Sequence, residues 1–240
     1  MLELTDINTD RGPAHVLHNV SLSVNEQEVV CLVGRNGAGK TTTMESIMGL
    51  LSVSSGLVNF HGEDITGLPV HQRARRGIGY APEDCGIFPE LTVEENFMIS
   101  RWQSAAPGRV KKAAFTTGDA EERAFSVFPE VRELTRREGL HLSGGQKKMV
   151  AIARAMMLSP SLLLLDEAFE GLAPVIVTRF IDAVIKIKEM GISILIAESN
   201  LANASRIADR LYAIDRGEII FHGKPEEALE DEKVMKALRG

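Results

Sequence analysis

The chain has little cysteine. Two in 240 residues, Cys31 and Cys85, cannot build a disulfide framework, so a reducing compartment is expected. Cys31 lies in an apolar run and reads as core. An excess of positive charge is also missing. The 27 Lys and Arg against 33 Asp and Glu leave a net charge of -6, which supplies no basic field and argues against nucleic acid as a partner. No stretch approaches the roughly 20 apolar residues of a membrane-spanning helix, and the N-terminus lacks a basic-then-apolar secretory pattern. A cytoplasmic protein is predicted, with any membrane role arising through a partner. There is no internal repeat or low-complexity tract. What is present is ordinary for a globular domain: 44% apolar and 25% charged residues, in a chain long enough to bury a core.

Along the chain, residues 2–4 and 21–24 alternate apolar with polar, as half-buried strands do. Residues 29–33 form a continuous apolar run, and from Thr41 the spacing of Met44, Ile47, Met48 and Leu51 predicts a helix broken by Ser54-Ser55-Gly56. A strand is expected at 57–60. Residues 91–139 carry mixed charge, a Pro107-Gly108 break and helical periodicity at Phe125, Phe128, Val131 and Leu134, which predicts an inserted helical subdomain. Further on, the pattern predicts a helix at 149–157, buried strands at 162–165 and 192–197, and an amphipathic helix at 175–190. A hairpin is expected at 211–221 with Asp215-Arg216-Gly217 at its turn, and a charged helical tail from Pro225. Of the six histidines only His15 and His18 are closely spaced, and they read as strand or surface residues rather than metal ligands.

Gly34-Arg35-Asn36-Gly37-Ala38-Gly39-Lys40-Thr41 has the spacing G-x-x-x-x-G-K-T and follows the apolar run 29–33. A tight loop of backbone N–H groups at a helix start suits a triphosphate. Its glycines let the backbone approach, Lys40 adds a point charge, Thr41 offers a hydroxyl to Mg²⁺, and Thr42 continues the cradle. Asp166 ends the strand 162–165, where a buried carboxylate calls for a cation, and Glu167 follows as a candidate to activate water. Ser143, Gly144, Gly145 and Gln146 form a second candidate anion nest, ahead of a helix expected to begin near Lys147.

These three motifs in this order resemble the ATP-binding cassettes of ABC transporters, over roughly residues 2–235. The resemblance implies a single α/β domain, a P-loop NTPase core with an N-terminal antiparallel β region and a helical subdomain at about 91–150. It implies an ATPase using ATP and Mg²⁺, with Thr41, Asp166 and Glu83 at the metal and Glu167 as the catalytic base. Ser143, Gly144, Gly145 and Gln146 would close on the ATP of a second cassette, a copy or a paralogue. Integral membrane permease subunits would hold the pair on the inner face of the membrane.

The segments Phe88-Pro89-Glu90-Leu91-Thr92-Val93-Glu94-Glu95-Asn96 and Glu170-Gly171-Leu172-Ala173-Pro174, with Glu83 in the place of the usual glutamine, are most similar to the branched-chain amino acid importer branch. Urea and amide importers stand close behind. Three positions depart from the family pattern: Ser199 replaces the usual histidine, Arg11 the adenine-stacking aromatic, and Ala168-Phe169 the commoner Pro-Ser. A weakly hydrolysing ATP switch is the competing expectation.

Overall fold

Runs of apolar residues set between glycine-rich and charged breaks give ten strands and ten α-helices among the described residues, 1–104 and 117–239 of a computed structural model. The first part of the chain runs β1 (Leu2–Arg11), β2 (Ala14–Val24), β3 (Val29–Val33), α1 (Lys40–Met48), β4 (Val53–Phe60), β5 (Glu63–Asp64), α2 (Val70–Arg75) and β6 (Ile78–Ala81). Four helices come next: α3 (Val93–Ser104), α4 (Thr117–Val127), α5 (Pro129–Glu133) and α6 (Gly144–Met156). The remainder is β7 (Leu162–Asp166), α7 (Pro174–Glu189), β8 (Ser193–Glu198), α8 (Leu201–Ser205), β9 (Arg210–Asp215), β10 (Glu218–Gly223), α9 (Pro225–Glu230) and α10 (Glu232–Arg239). Pro107-Gly108 lies outside the described residues.

Two sheets result. An antiparallel sheet has the order β2-β1-β4-β5, and a second sheet has the order β10-β9-β3-β8-β7-β6. In the second, β9, β3, β8, β7 and β6 run parallel and β10 closes the edge antiparallel. The parallel strands are covered on both faces, which is why their central residues do not alternate with charge, and the charged or polar Asp166, Ser193, Glu198, Arg210 and Asp215 stand at strand ends. In β3, Val29, Cys31 and Val33 enter the core shared with the helices, while Val30 and Leu32 enter the core shared with the antiparallel sheet. Strands β7 and β8 divide in the same way. Helix α1 lies between the sheets, burying Met44, Ile47 and Met48.

Among the described residues of 91–150 the regular elements are α3, α4, α5, a 3-10 turn at Gly139–His141 and α6, and Phe97, Phe125, Phe128, Val131 and Leu134 join the core formed by β3, β7 and β8. Three expectations need correction. The helix after Thr41 ends at Gly49, whose φ of 79° lets its N–H close on the carbonyls of Glu45 and Ser46. Ser54-Ser55-Gly56 therefore does not break it; those residues belong to β4. Helix α6 starts at Gly144 rather than near Lys147, because Ser143 and Gln146 form a reciprocal capping box. Strand β1 runs on to Arg11, well past residue 4. Register shifts between Leu4 and Asp10, with Asp6 at φ 47°, erase the alternation there.

Candidate functional site

Strand β3 delivers the chain into the loop 34–39 at the C-terminal edge of the parallel sheet. A Cβ on Gly34 would lie 2.5 Å from the Ile214 carbonyl oxygen, so the loop passes too close to β9 for any side chain. Gly37 and Gly39 stand at φ 82° and 115°, which favours glycine. First-turn N–H groups of α1 have no intrahelical carbonyl to bond and form a natural anion cradle. The mouth of the loop is a cavity of about 470 Å³ lined by Arg11, Asn36, Gly37, Gly39, Lys40, Thr41, Thr42, Glu83 and Glu167. Gly34 and Ala38 form its buried backing, and Arg35 is exposed beside it.

Lys40 and Glu167 face each other inside. The Lys40 ammonium donates to the Gly34 carbonyl at 2.7 Å and to the Arg35 carbonyl at 3.0 Å, and pairs with Glu167 Oε1 at 2.8 Å. Both side chains are 4% exposed. Ser199 Oγ donates to Glu167 Oε2 at 3.4 Å, long for such a bond. Glu167 itself is at φ 48°, and Lys148 Nζ donates to its carbonyl.

Asp166 accepts from Thr41 Oγ1 and from the Tyr80 hydroxyl, each at 3.3 Å. These neutral, stretched bonds compensate the buried carboxylate poorly. Burial pushes Asp166 up to about 6, the Thr41 hydroxyl opposes this, and the charges of Glu167 and Glu83 reinforce it. Burial and the Asp166 charge push the Tyr80 hydroxyl up in turn. Asp166 and the Thr41 hydroxyl beside it are hard oxygen donors of the kind Mg²⁺ takes, while among the described residues no three His, Cys, Asp or Glu side chains are gathered closely enough to hold a metal by themselves. Glu83 is exposed in the loop after β6 and borders both the cradle and a second cavity of about 910 Å³, which Asp166 and Tyr80 also line.

Other expected residues lie elsewhere. Arg11 reaches the cavity wall, but its guanidinium is paired with Glu45 of α1, so an adenine would meet an engaged cation. Ser143 and Gly144 are exposed, with Gly145 and Gln146 half-buried, and none of the four lines the chain's own phosphate cradle. Cys31 and Cys85 are both free thiols and buried. His15 and His18 stack edge to face at 4.5 Å on β2. Sequence reasoning missed Tyr80, Lys148 and Glu198. Each meets the site from a distant segment, and no local spacing marks it.

No helix among the described residues is long and apolar enough to cross a membrane. The ABC transporter family profile matches residues 17–170. The lipopolysaccharide export system ATP-binding protein LptB of Haemophilus influenzae is 37% identical over 227 residues, covering 94% of this chain and 91% of that protein. BraG, a high-affinity branched-chain amino acid transport ATP-binding protein of Pseudomonas aeruginosa, is 33% identical and aligned over 100% of both chains. A crystal structure of a nucleotide-free ATP-binding cassette from an ABC transporter superposes with a TM-score of 0.84 at 31% identity, covering 100% of this chain and 99% of that one. With a phosphate cradle, a buried aspartate and an adjoining glutamate on one edge of the same fold, the chain belongs to the ABC transporter family and is an ATP-hydrolysing cassette of it.

Proposed function

We propose that the chain is the ATPase subunit of an importer of branched-chain amino acids, acting in a pair of cassettes docked on integral membrane permease subunits at the inner face of the membrane. The observation that supports this branch is alignment from end to end. BraG covers 100% of both chains, and the probable branched-chain transport protein LivF of Archaeoglobus fulgidus covers 100% of this chain and 99% of its own. The 37% identity to LptB favours a second reading, a cassette for export of an amphiphile.

In the proposed cycle the triphosphate occupies the cradle and draws Lys40 away from Glu167 onto the β- and γ-phosphates. Thr41, Asp166 and Glu83 would hold Mg²⁺, which would supply neutralisation of phosphate charge when bound. Glu167, released from Lys40, accepts a proton from the attacking water as its oxygen bonds to the γ-phosphorus and the bond to the β-phosphate oxygen breaks. The exposed nest at 143–146 of one copy covers the ATP of the other, and closure passes through the helical segment and the Glu83 loop to the permease.

Co-expression with candidate permeases and reconstitution into vesicles tests the assignment. ATP-dependent uptake of leucine or valine, abolished by Glu167→Gln, is the expected result. Capture of a permease that moves a lipid-linked glycan instead supports the exporter. ATP binding with negligible turnover under every partner condition, and capture of no membrane protein, overturns both in favour of the weakly hydrolysing switch.

A further inference from the structure

Glu167 sits at φ 48°, a conformation that a non-glycine residue keeps only where its surroundings impose it. Four hydrogen bonds do so. Its N–H donates to the Ala197 carbonyl at 3.0 Å, Lys148 Nζ and the Glu170 N–H donate to its own carbonyl, and two residues on, the Phe169 N–H donates to Glu198 Oε1 at 2.9 Å. Glu198 differs from the rest. It is a carboxylate 1% exposed at the end of β8, one residue before the Ser199 that touches Glu167. Its main-chain carbonyl accepts from the Gly34 N–H at 3.2 Å, so one residue borders both the phosphate loop and the loop of the expected base.

Burying a carboxylate is costly without compensation. Burial pushes Glu198 up to about 7, opposed by the Phe169 N–H, Lys148 and Lys40, and reinforced by the charge of Glu167. A hydrocarbon at this strand end would avoid that cost. It would also leave the buried Phe169 N–H without its acceptor and the loop 167–170 without the side-chain bond on that flank.

We infer that Glu198 is a positioning residue for hydrolysis: its carboxylate anchors the loop 167–170 through the Phe169 N–H and so aims Glu167 at the reacting water. The inference rests on the reading of Glu167 as the base. It is tested with Glu198→Ala and Glu198→Gln in the full chain, under whichever partner conditions support turnover. In Glu198→Ala, kcat should fall about 100-fold, the scale of an ångström-sized misplacement, with KM unchanged. Gln keeps an acceptor oxygen and should restore most of the rate. Hydrogen exchange should quicken across 163–172 in Glu198→Ala, not in Glu198→Gln, and stay unchanged across 34–41.

Exchange needs no turnover, so it reads the anchor even where Glu167 is not the base; that separate failure shows as Glu167→Gln turning over at the wild-type rate. If Glu198→Ala does not fold, Glu198→Leu fills the space without an acceptor and is scored alike. A wild-type kcat with unchanged exchange overturns the inference. So does equal loss in both variants with faster exchange throughout the chain, which marks a structural role only.

Discussion

Replacing Lys40 by methionine should destabilise the nucleotide-free protein by an amount that depends on Glu167. The Lys40 ammonium directs its three N–H donors to the Gly34 carbonyl, the Arg35 carbonyl and Glu167 Oε1, with the last contact at 2.8 Å and both side chains nearly solvent-free. Two unit charges at that distance attract by about 6 kcal/mol at an effective dielectric of about 20, and the desolvation of both partners offsets much of it. Methionine preserves the buried stem and strands the carboxylate. Breaking a buried pair from one side costs about 3–5 kcal/mol. Glu167→Gln in the same chain removes the stranded charge, so the double variant should recover about 2–3 kcal/mol relative to additivity.

Urea unfolding at neutral pH, without nucleotide or magnesium, measures all four corners of the cycle. A Lys40→Met loss below about 1 kcal/mol, or strict additivity, would refute the claim that Glu167 is clamped by Lys40 in the resting cassette. The same geometry has a functional consequence. In the proposed cycle Glu167 and the phosphates compete for Lys40, so Glu167→Gln should bind ATP more tightly than wild type, and equal dissociation constants by calorimetry count against the competition.

Arg73 is 2% exposed and donates to the carbonyls of Ser46, Ile47, Thr66 and Leu68, closing the C-terminal end of α1. Arg73→Met should cost about 3–5 kcal/mol in urea unfolding by leaving those carbonyls unmet; a loss under about 1 kcal/mol contradicts this. Glu198 is raised from 4.5 to about 7 in the folded state, so folding favours its protonated form. Its contribution to stability is then fully present below about 4.5 and is lost as pH rises through about 7. Glu198→Gln should accordingly melt above wild type at pH about 8 and match it near pH about 4; a gap that widens toward acid reverses the sign. Ser199 holds Glu167 by one long bond of 3.4 Å, so Ser199→Ala should change stability by less than about 1 kcal/mol. A larger shift in melting shows that the hydroxyl matters more than its distance suggests.

Elements whose sequence pattern and environment agree were legible. Strands β3, β7 and β8 have apolar central runs because both of their faces are covered, and the residues 29–33, 162–165 and 194–197 announce that directly. The β9–β10 turn was equally plain, since Arg216 and Gly217 supply the two positive φ values that a tight hairpin needs. Strand β6 was not legible. Ile78-Gly79-Tyr80-Ala81 is short and carries a glycine, and it becomes a strand only because β7 is beside it to pair with. Helix α2 is likewise a six-residue element with no repeat of period long enough to read.

The site divides along the same physical line. The candidate phosphate cradle is a local object: its residues are contiguous, Gly37 and Gly39 are required by backbone angles within the loop, and sequence spacing alone points to it. The setting of the two carboxylates is not local. Asp166 meets Tyr80 from 86 residues upstream, the Glu167 carbonyl meets Lys148 from 19 residues upstream, and the Phe169 N–H meets Glu198 from 29 residues downstream. Tyr80 and Glu198 reach the site because parallel strand order, not chain proximity, brings β6, β7 and β8 side by side, and Lys148 reaches it from the first turns of α6. Ser199 is where that non-local setting matters most. Its hydroxyl is too far from Glu167 to dictate the position of that carboxylate, yet Glu167 is held at a backbone angle that needs support. The support comes from the main chain of Ala197 and the side chains of Lys148 and Glu198, so the orientation of Glu167 survives with a weak residue at the position where the family pattern places a histidine.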